Sequence, residues 1–452
     1  MKLRWLHLRN ATAVIVRPVS LAILGLALAV EAAEPWTLER ALDHAQAHSP
    51  DARLARIRIT IAQSGLQQAN ATLWPQLQLQ SSYTRTDQPM LVFGSILNQR
   101  AYNPALDFND VPDMDNFNVR GVLTQPLYAG GGLKAGRDAA RAGGEAARAE
   151  AETVRHTLAF EVTRAFHTVQ KTREVIRAAE AAVHSLERHL DIAGRRVTEG
   201  TALKTEQLDL QVRLAQGRED LVRARNARTL AERALRNLLG LEETDFQVAE
   251  EVPDIAAPVA EAFFDARPEL AVMAERQHEA EALIRQARAG YRPRISAFGS
   301  LDYDYGWRTD GDGQSYTVGV LAQWDLWDGR RTRGKVSAAE ANFEATREQD
   351  RKVRLAIELE VEQARLQLQE ANERLAVTGS AIALAEESTS LTRARFEEGL
   401  ALATQLIDAE TALTTARVRQ AEAATDRRIA IAALRKALGV SQFDAPNNTS
   451  SP

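Results

Sequence analysis

One motif is written twice along this chain, and that duplication limits its possible folds more than any other feature. His48-Ser49-Pro50-Asp51 recurs as Ala266-Arg267-Pro268-Glu269, and Leu73-Trp74-Pro75-Gln76 recurs as Tyr291-Arg292-Pro293-Arg294. Further on, Pro126-Leu127-Tyr128-Ala129-Gly130 is matched by Asp325-Leu326-Trp327-Asp328-Gly329. Arg196-Val197-Thr198-Glu199-Gly200 is matched by Arg395-Phe396-Glu397-Glu398-Gly399, and Leu238-Leu239-Gly240 by Ala437-Leu438-Gly439. The first two matches share one offset and the last three another, so the extra length of the first copy lies between Pro75 and Tyr128. Each copy reads as helix, strand, strand, long helix, turn, helix. A repeat in register from end to end commits the chain to two copies of one supersecondary unit.

The long helices carry strict heptads. Val162, Val169, Ile176, Val183, Leu190 and Val197 stand seven apart, with Leu158, Ala165, Thr172, Ala179, Leu186 and Ala193 between them. The second copy repeats the stripe from Val361 through Leu368, Leu375, Ile382 and Thr389 to Phe396. A sustained seven-residue period predicts helices that supercoil against neighbours, and the small intervening residues allow close approach. A helix from Lys134 to Val197 would run roughly 95 Å, and helices over about Leu38–Leu73 and Leu203–Leu239 roughly 55 Å each. These lengths predict a rod in which one long helix lies beside two shorter ones stacked end to end.

Pro75 and Pro293 end their helices, because proline lacks the amide hydrogen and restricts the residue before it. Beyond each proline the residues alternate with period two. Leu77 and Leu79 alternate with Gln76, Gln78 and Gln80, and Ile295, Ala297, Leu301, Tyr303 and Tyr305 with Arg294, Ser296, Asp302 and Asp304. Tyr316, Val318, Val320, Ala322 and Trp324 alternate with Thr317, Gly319, Gln323 and Asp325; Phe117, Val119 and Leu123 do so less cleanly. Strands of this kind match those of outer-membrane barrels, whose two faces meet lipid and lumen. Trp74, Tyr128, Trp324 and Trp327 gather at the helix-proximal strand ends, where an interfacial aromatic belt sits. Four strands are too few to close a barrel around a passage, and open sheet edges cannot face lipid. Several chains are therefore expected to share one barrel.

The N-terminus sets the compartment. Lys2, Arg4, Arg9 and Arg17 precede the apolar run Val19–Val30, with Val30 and Ala32 placed for cleavage, as in a secretory signal. The run is too short to span a bilayer stably. Its removal leaves the chain more acidic than its formal net charge of −5, which disfavours nucleic acid as a partner. The chain has no cysteine, so disulfides, thiolate metal sites and a lipidated cysteine anchor are all excluded.

From Trp36-Thr37-Leu38-Glu39-Arg40-Ala41-Leu42 to Leu438-Gly439 the chain resembles the TolC-like outer membrane factor family. The likeness rests on the repeat, on the strand exit Gln125-Pro126-Leu127-Tyr128-Ala129-Gly130-Gly131 and on the two Glu-Gly helix turns. It implies a mainly α fold with a small β part. Long coiled-coil hairpins would form an α-barrel, and a homotrimer would close a twelve-stranded β-barrel in the outer membrane. It also implies a non-enzymatic, passive exit duct of tripartite efflux or type I secretion, without cofactor. That duct would dock through a periplasmic adaptor to an inner-membrane transporter. Carried onto this sequence, the turns Glu199-Gly200-Thr201 and Glu398-Gly399-Leu400 become the adaptor-docking tips. Asp209 and Asp408, with Glu206 and Gln405, become rings at the periplasmic aperture. Gln405 stands where some relatives have aspartate, which weakens the inner ring.

Other signals carry less. His44 and His48 are spaced for a divalent metal but lack the intervening glutamate and a third ligand, and no metal site is expected. Gly130-Gly131-Gly132-Leu133-Lys134-Ala135-Gly136 lacks the ending of a phosphate loop. The chain divides into a signal over 1–32, a first repeat over 33–243, a linker over 244–264, a second repeat over 265–440 and a polar tail over 441–452. The linker could form a belt around the tunnel. Residues Asp87–Asp115 read as the larger extracellular loop and Arg308–Gln314 as its short partner. The alternative is a periplasmic coiled-coil adaptor or scaffold, which would fractionate as a soluble protein.

Overall fold

The computed structural model describes residues 35–107, 109–242, 246–250, 257–258 and 264–442. The expected signal over 1–32, most of the linker over 244–264 and most of the tail lie outside the described residues. Eight helices and four strands occur among the described residues. In chain order they are α1 (Leu38–His48), α2 (Pro50–Ala71), β1 (Gln76–Thr86), α3 (Pro89–Asn98), β2 (Met114–Ala129), α4 (Gly132–Thr198) and α5 (Lys204–Leu239). The second half supplies α6 (Pro268–Arg288), β3 (Arg294–Gly306), β4 (Gly311–Gln323), α7 (Arg331–Glu397) and α8 (Ala403–Ala437).

The duplication holds to the length of its longest elements. Helices α4 and α7 have 67 residues each, about 100 Å at 1.5 Å per residue. The short helices stack as the lengths require. A side chain at Gly240, just past α5, would come within 3.0 Å of the His48 carbonyl beside α2, and one at Gly439, past α8, within 3.1 Å of Ala266 beside α6. The second junction is pinned by Arg267. Its buried guanidinium donates to the carbonyls of Lys436 and Ala437 and pairs with Glu269 and Glu360.

Three expectations need correction. The helix expected over Leu38–Leu73 is broken at Ser49, whose ψ of 140° is non-helical. Pro50 causes the break, since it supplies no amide hydrogen and pushes the residue before it out of the helical region. The freed α1 packs onto α4 and α5 through Leu38, Ala41, Leu42 and Ala45, and Trp36 pairs with Val248 in an isolated bridge beside it. The stretch expected as a loop over Asp87–Asp115 contains α3. That helix makes its own small core from Val92, Ile96 and Met114, and buried Gln99 at its end donates to the Asp115 carbonyl and to Asn116. The partner loop is shorter than expected, because β4 already begins at Gly311.

The helices form one layer. Helices α2 and α5 lie along one side of α4, α6 and α8 along its other side, and α7 lies beyond them. Heptad positions report this order. Val162 and Val169 on α4 are fully buried, whereas Leu368, the repeat partner of Val169, is only half-buried on α7. Among the described residues no helix runs along the far side of α7. An apolar stripe of Leu355, Leu359, Leu366, Val377, Leu384 and Leu391 stays exposed on α7. The opposite margin exposes Leu54, Ile57 and Ile61 on α2 and Leu208, Val212 and Val222 on α5.

Candidate functional site

The four strands form one antiparallel sheet in the order β1-β2-β3-β4. Pairing aligns Leu79 with Gly121, Gly121 with Leu301, and Leu301 with Tyr316. Side chains alternate along a strand, so this register places Leu77, Leu79, Val119, Leu123, Leu301, Tyr303, Tyr316, Val318 and Val320 on one continuous face. That face is bare: Leu77 is 79% exposed and Tyr316 75%. The opposite face is polar. Arg120 pairs with Asp302, Asn118 donates to Asp304 at 3.1 Å, and Asn116 donates to Asp304 at 2.6 Å. A water-soluble sheet would cover its apolar face; this one covers its polar groups with each other and leaves the apolar side open, as a bilayer requires. No helix among the described residues is long and apolar enough to cross a membrane.

Trp74, Tyr128, Trp324 and Trp327 all lie at the helix end of this sheet and are all exposed. Trp324 donates its indole N–H to the Tyr291 carbonyl at 3.1 Å, which fixes its ring at the junction. At the far end of the rod, α4 and α7 terminate in the same way. Gly200 and Gly399 take φ of 74° and 80°. Thr201 N–H bonds the Arg196 carbonyl at 2.9 Å, and Leu400 N–H bonds the Arg395 carbonyl at 2.7 Å. Gly200 N–H and Gly399 N–H reach Val197 and Phe396 at 3.1 and 3.0 Å. Both are Schellman caps, which need a residue at positive φ and therefore select glycine. The two tips touch: Arg196 donates to the Phe396 carbonyl at 2.9 Å and stacks on the Phe396 ring at 5.6 Å. Glu199, Thr201, Glu398 and Leu400 are exposed around them.

The acidic candidates occupy the first two turns of α5 and α8. Asp209 and Asp408 are exposed and Glu206 is half-buried. The Gln405 side chain accepts from Leu402 N–H at 3.3 Å and so caps α8. Just behind them lies a cluster that the sequence did not single out. Buried Glu410 on α8 accepts from Ser185 Oγ of α4 at 2.8 Å and from Arg393 of α7 at 2.7 Å, and His189 Nε2 lies 3.3 Å away. Burial acts to raise the Glu410 pKa, but the hydrogen bonds from His189, Arg393 and Ser185 outweigh it and hold the group at about 2. One signal was available. Leu406, Glu410 and Leu413 fall on one helical face, so the carboxylate interrupts an apolar stripe. His44 and His48, weighed as metal ligands, stack on each other at 4.3 Å, and His44 meets the Trp36 ring edge-on at 5.2 Å.

The profile of the outer membrane efflux protein family matches residues 41–241 and 262–440. The chain belongs to the outer membrane efflux protein family. A search of curated proteins finds no match. Among solved structures it is similar to a membrane protein from Pseudomonas aeruginosa, with 22% identity, 89% of this chain and 93% of that one covered, and a TM-score of 0.76. It is likewise similar to the outer membrane protein VceC of Vibrio cholerae, with 19% identity, coverage of 90% and 97% and a TM-score of 0.76. The Campylobacter jejuni CmeC outer membrane channel gives 16%, 89%, 85% and 0.77 in the same order. At these identities the likeness carries the fold. The resemblance to TolC-like outer membrane factors read from the repeat therefore holds. With it go an outer-membrane location, a large periplasmic portion and a channel rather than an enzyme.

Proposed function

We propose that three copies of this outer membrane efflux protein close into one passive exit duct. A twelve-stranded barrel would cross the outer membrane and continue as a helical tunnel, receiving cargo from an inner-membrane transporter through a periplasmic adaptor. The observation that carries this reading is the match between open edges. The sheet ends at β1 on one side and β4 on the other, and the helical layer ends at the bare stripes of α2–α5 and of α7. Each open edge of one copy suits the opposite edge of the next, and a heterologous contact of this kind closes into a ring.

In this assembly the bare sheet face meets outer-membrane lipid, and Trp74, Tyr128, Trp324 and Trp327 mark the interface. Gly200 and Gly399, with Glu199, Thr201, Glu398 and Leu400, would meet the adaptor. Asp209, Asp408 and Glu206, with Gln405, would ring the aperture and favour cations. Efflux and type I secretion use the same duct geometry, and the inner-membrane partner selects between them. Fractionation, native mass measurement in detergent and planar-bilayer recording test the reading together. A trimer from the outer membrane that forms channels is the expected result. A soluble periplasmic monomer would instead return the adaptor or scaffold alternative.

A further inference from the structure

The two repeats meet the sheet with different chemistry. At the foot of the first pair of strands stand Gln76, Gly132 and Gly136; the matching positions of the second hold Arg294, Arg331 and Lys335. The duplicated fold supplies the same backbone twice, so the contrast lies in side chains alone. These three cations, joined by Arg292, line a cleft of about 460 Å³ between the end of α6, the ends of β3 and β4, and the first turns of α7. Asp325 is the one carboxylate among its lining residues. It is shared loosely, 3.6 Å from Arg294 and 3.5 Å from Arg331. Lys335 has no carboxylate within 4.0 Å among the described residues. Arg331 also lies 3.9 Å from Asp328, outside the lining; two carboxylates thus face four cations, and the cleft keeps an excess of positive charge.

Register gives the cleft its direction. Arg294 pairs across the ladder with Gln323. Both fall in step with Ser296, Ser300 and Asp302 on the polar face, opposite to the side taken by Val320, Ala322 and Trp324. Beside the cleft, Arg330 holds φ of 69° where its repeat partner is Gly131 at 87°. An arginine is thus kept in a left-handed conformation that glycine adopts without strain.

We propose that this cleft is an oxyanion-binding station on the lumen side of the duct, taking carboxylate- or phosphate-bearing solutes as they leave the helical tunnel. Guanidinium groups suit such ligands because their paired N–H donors match two oxygens at once, and Lys335 adds a point charge. The inference rests on the trimeric duct reading, in which three clefts form a positive collar at the foot of the barrel. It makes the outer end of the duct attractive to anions, whereas the acidic tip residues favour cations at the other end.

The test uses full-length protein in planar bilayers of zwitterionic lipid, with citrate or inorganic phosphate added at constant ionic strength. Wild-type channels should be blocked by citrate. Lys335→Gln and Arg294→Gln should each raise the half-blocking concentration roughly fivefold, equivalent to about 1 kcal/mol, while Arg294→Lys, which keeps the charge but loses the paired donors, should fall between wild type and Arg294→Gln. Equal block in wild type and both Gln variants would overturn the station. Calorimetric titration of citrate into the detergent-solubilised trimer, wild type against Lys335→Gln, asks the same question without a channel; equal affinities overturn the proposal. If wild type forms no channels but the titrations differ, the duct reading fails while the anion site stands. Phosphatidylglycerol added to the bilayer supplies the remaining arm: relief of citrate block by that headgroup would place the cleft against lipid and overturn its lumenal assignment.

Discussion

Ser185 on α4 donates its hydroxyl to Glu410 on α8 at 2.8 Å, and this bond ties the first repeat to the second just behind the tips. Arg393 and His189 complete the contact from α7 and α4. Glu410 is held at about 2 against an ordinary 4.5. A carboxylate with a depressed folded-state pKa stabilises the fold fully above 4.5 and loses that contribution as pH falls from 4.5 toward 2. The shift corresponds to roughly 3 kcal/mol at most. Thermal unfolding of the wild type should therefore weaken steeply over that acid window, and Glu410→Gln should flatten the dependence while lowering stability at pH 7. An unchanged acid profile in the variant would remove Glu410 from the account.

The two tip glycines should respond unequally to substitution. Both hold positive φ, so an alanine at either costs about 1–2 kcal/mol in backbone strain. A side chain at Gly200 meets nothing within 4 Å, whereas one at Gly399 runs into the Arg196 guanidinium. Gly399→Ala should destabilise more than Gly200→Ala, and it should also displace Arg196 from Phe396. Denaturant melts of the two variants check the order; equal losses would mean that Arg196 simply moves aside.

Much of this was legible in the sequence, and what was missed has a physical pattern. Heptads and alternating strands were readable because a buried face repeats its residue type at the period of its backbone. Gly200 and Gly399 were readable because few other residues tolerate their φ. Helix α3 was hidden because its short apolar run from Met90 to Leu97 is set among Asn, Asp and Pro, which argued for a loop. The Ser49 break was hidden because Pro50 fits the first turn of a helix as well as it ends the preceding one. Glu410 was passed over for another reason. Its partners Ser185 and His189 lie on the other repeat, and its one local sign, a place on the Leu406–Leu413 face, marks burial without naming them.

The bare stripe of α7 predicts how assembly fails. Leu384 and Leu391 are exposed at 68% and 62% in the single chain, so a charge there leaves the protomer fold alone. If they are covered by the next copy, Leu384→Asp places an unpaired carboxylate in an apolar seam, a cost of several kcal/mol. The expected outcome is folded, helical monomer with little trimer in native mass measurement. Normal trimer yield would show that the stripe is not a subunit contact.

Asp408 and Gln405 separate the roles assigned near the aperture. Gln405 caps α8 with its side-chain carbonyl, and Asp408 is exposed one turn on. Asp408→Asn should reduce cation preference in bilayers with no loss of stability, because Asp408 makes no ion pair among the described residues. Gln405→Ala should instead cost about 0.5–1.5 kcal/mol, the loss of one capping hydrogen bond, and leave selectivity near wild type. Reversed assignments, with selectivity following Gln405, would dismantle the acidic ring.

Adjacent residues of β1 offer the sharpest discrimination of the sheet's orientation. Leu79 is on the bare apolar face, paired with Gly121, while Gln78 is on the polar face, paired with Val122. An arginine on the lipid side near the bilayer midplane costs about 2–4 kcal/mol, whereas a lumen-facing arginine is solvated. Leu79→Arg should therefore lower the heat stability and yield of the membrane-inserted protein, and Gln78→Arg should insert normally and change conductance alone. Swapped phenotypes would turn the sheet inside out, with the Arg120–Asp302 ladder facing lipid and the leucines facing the passage.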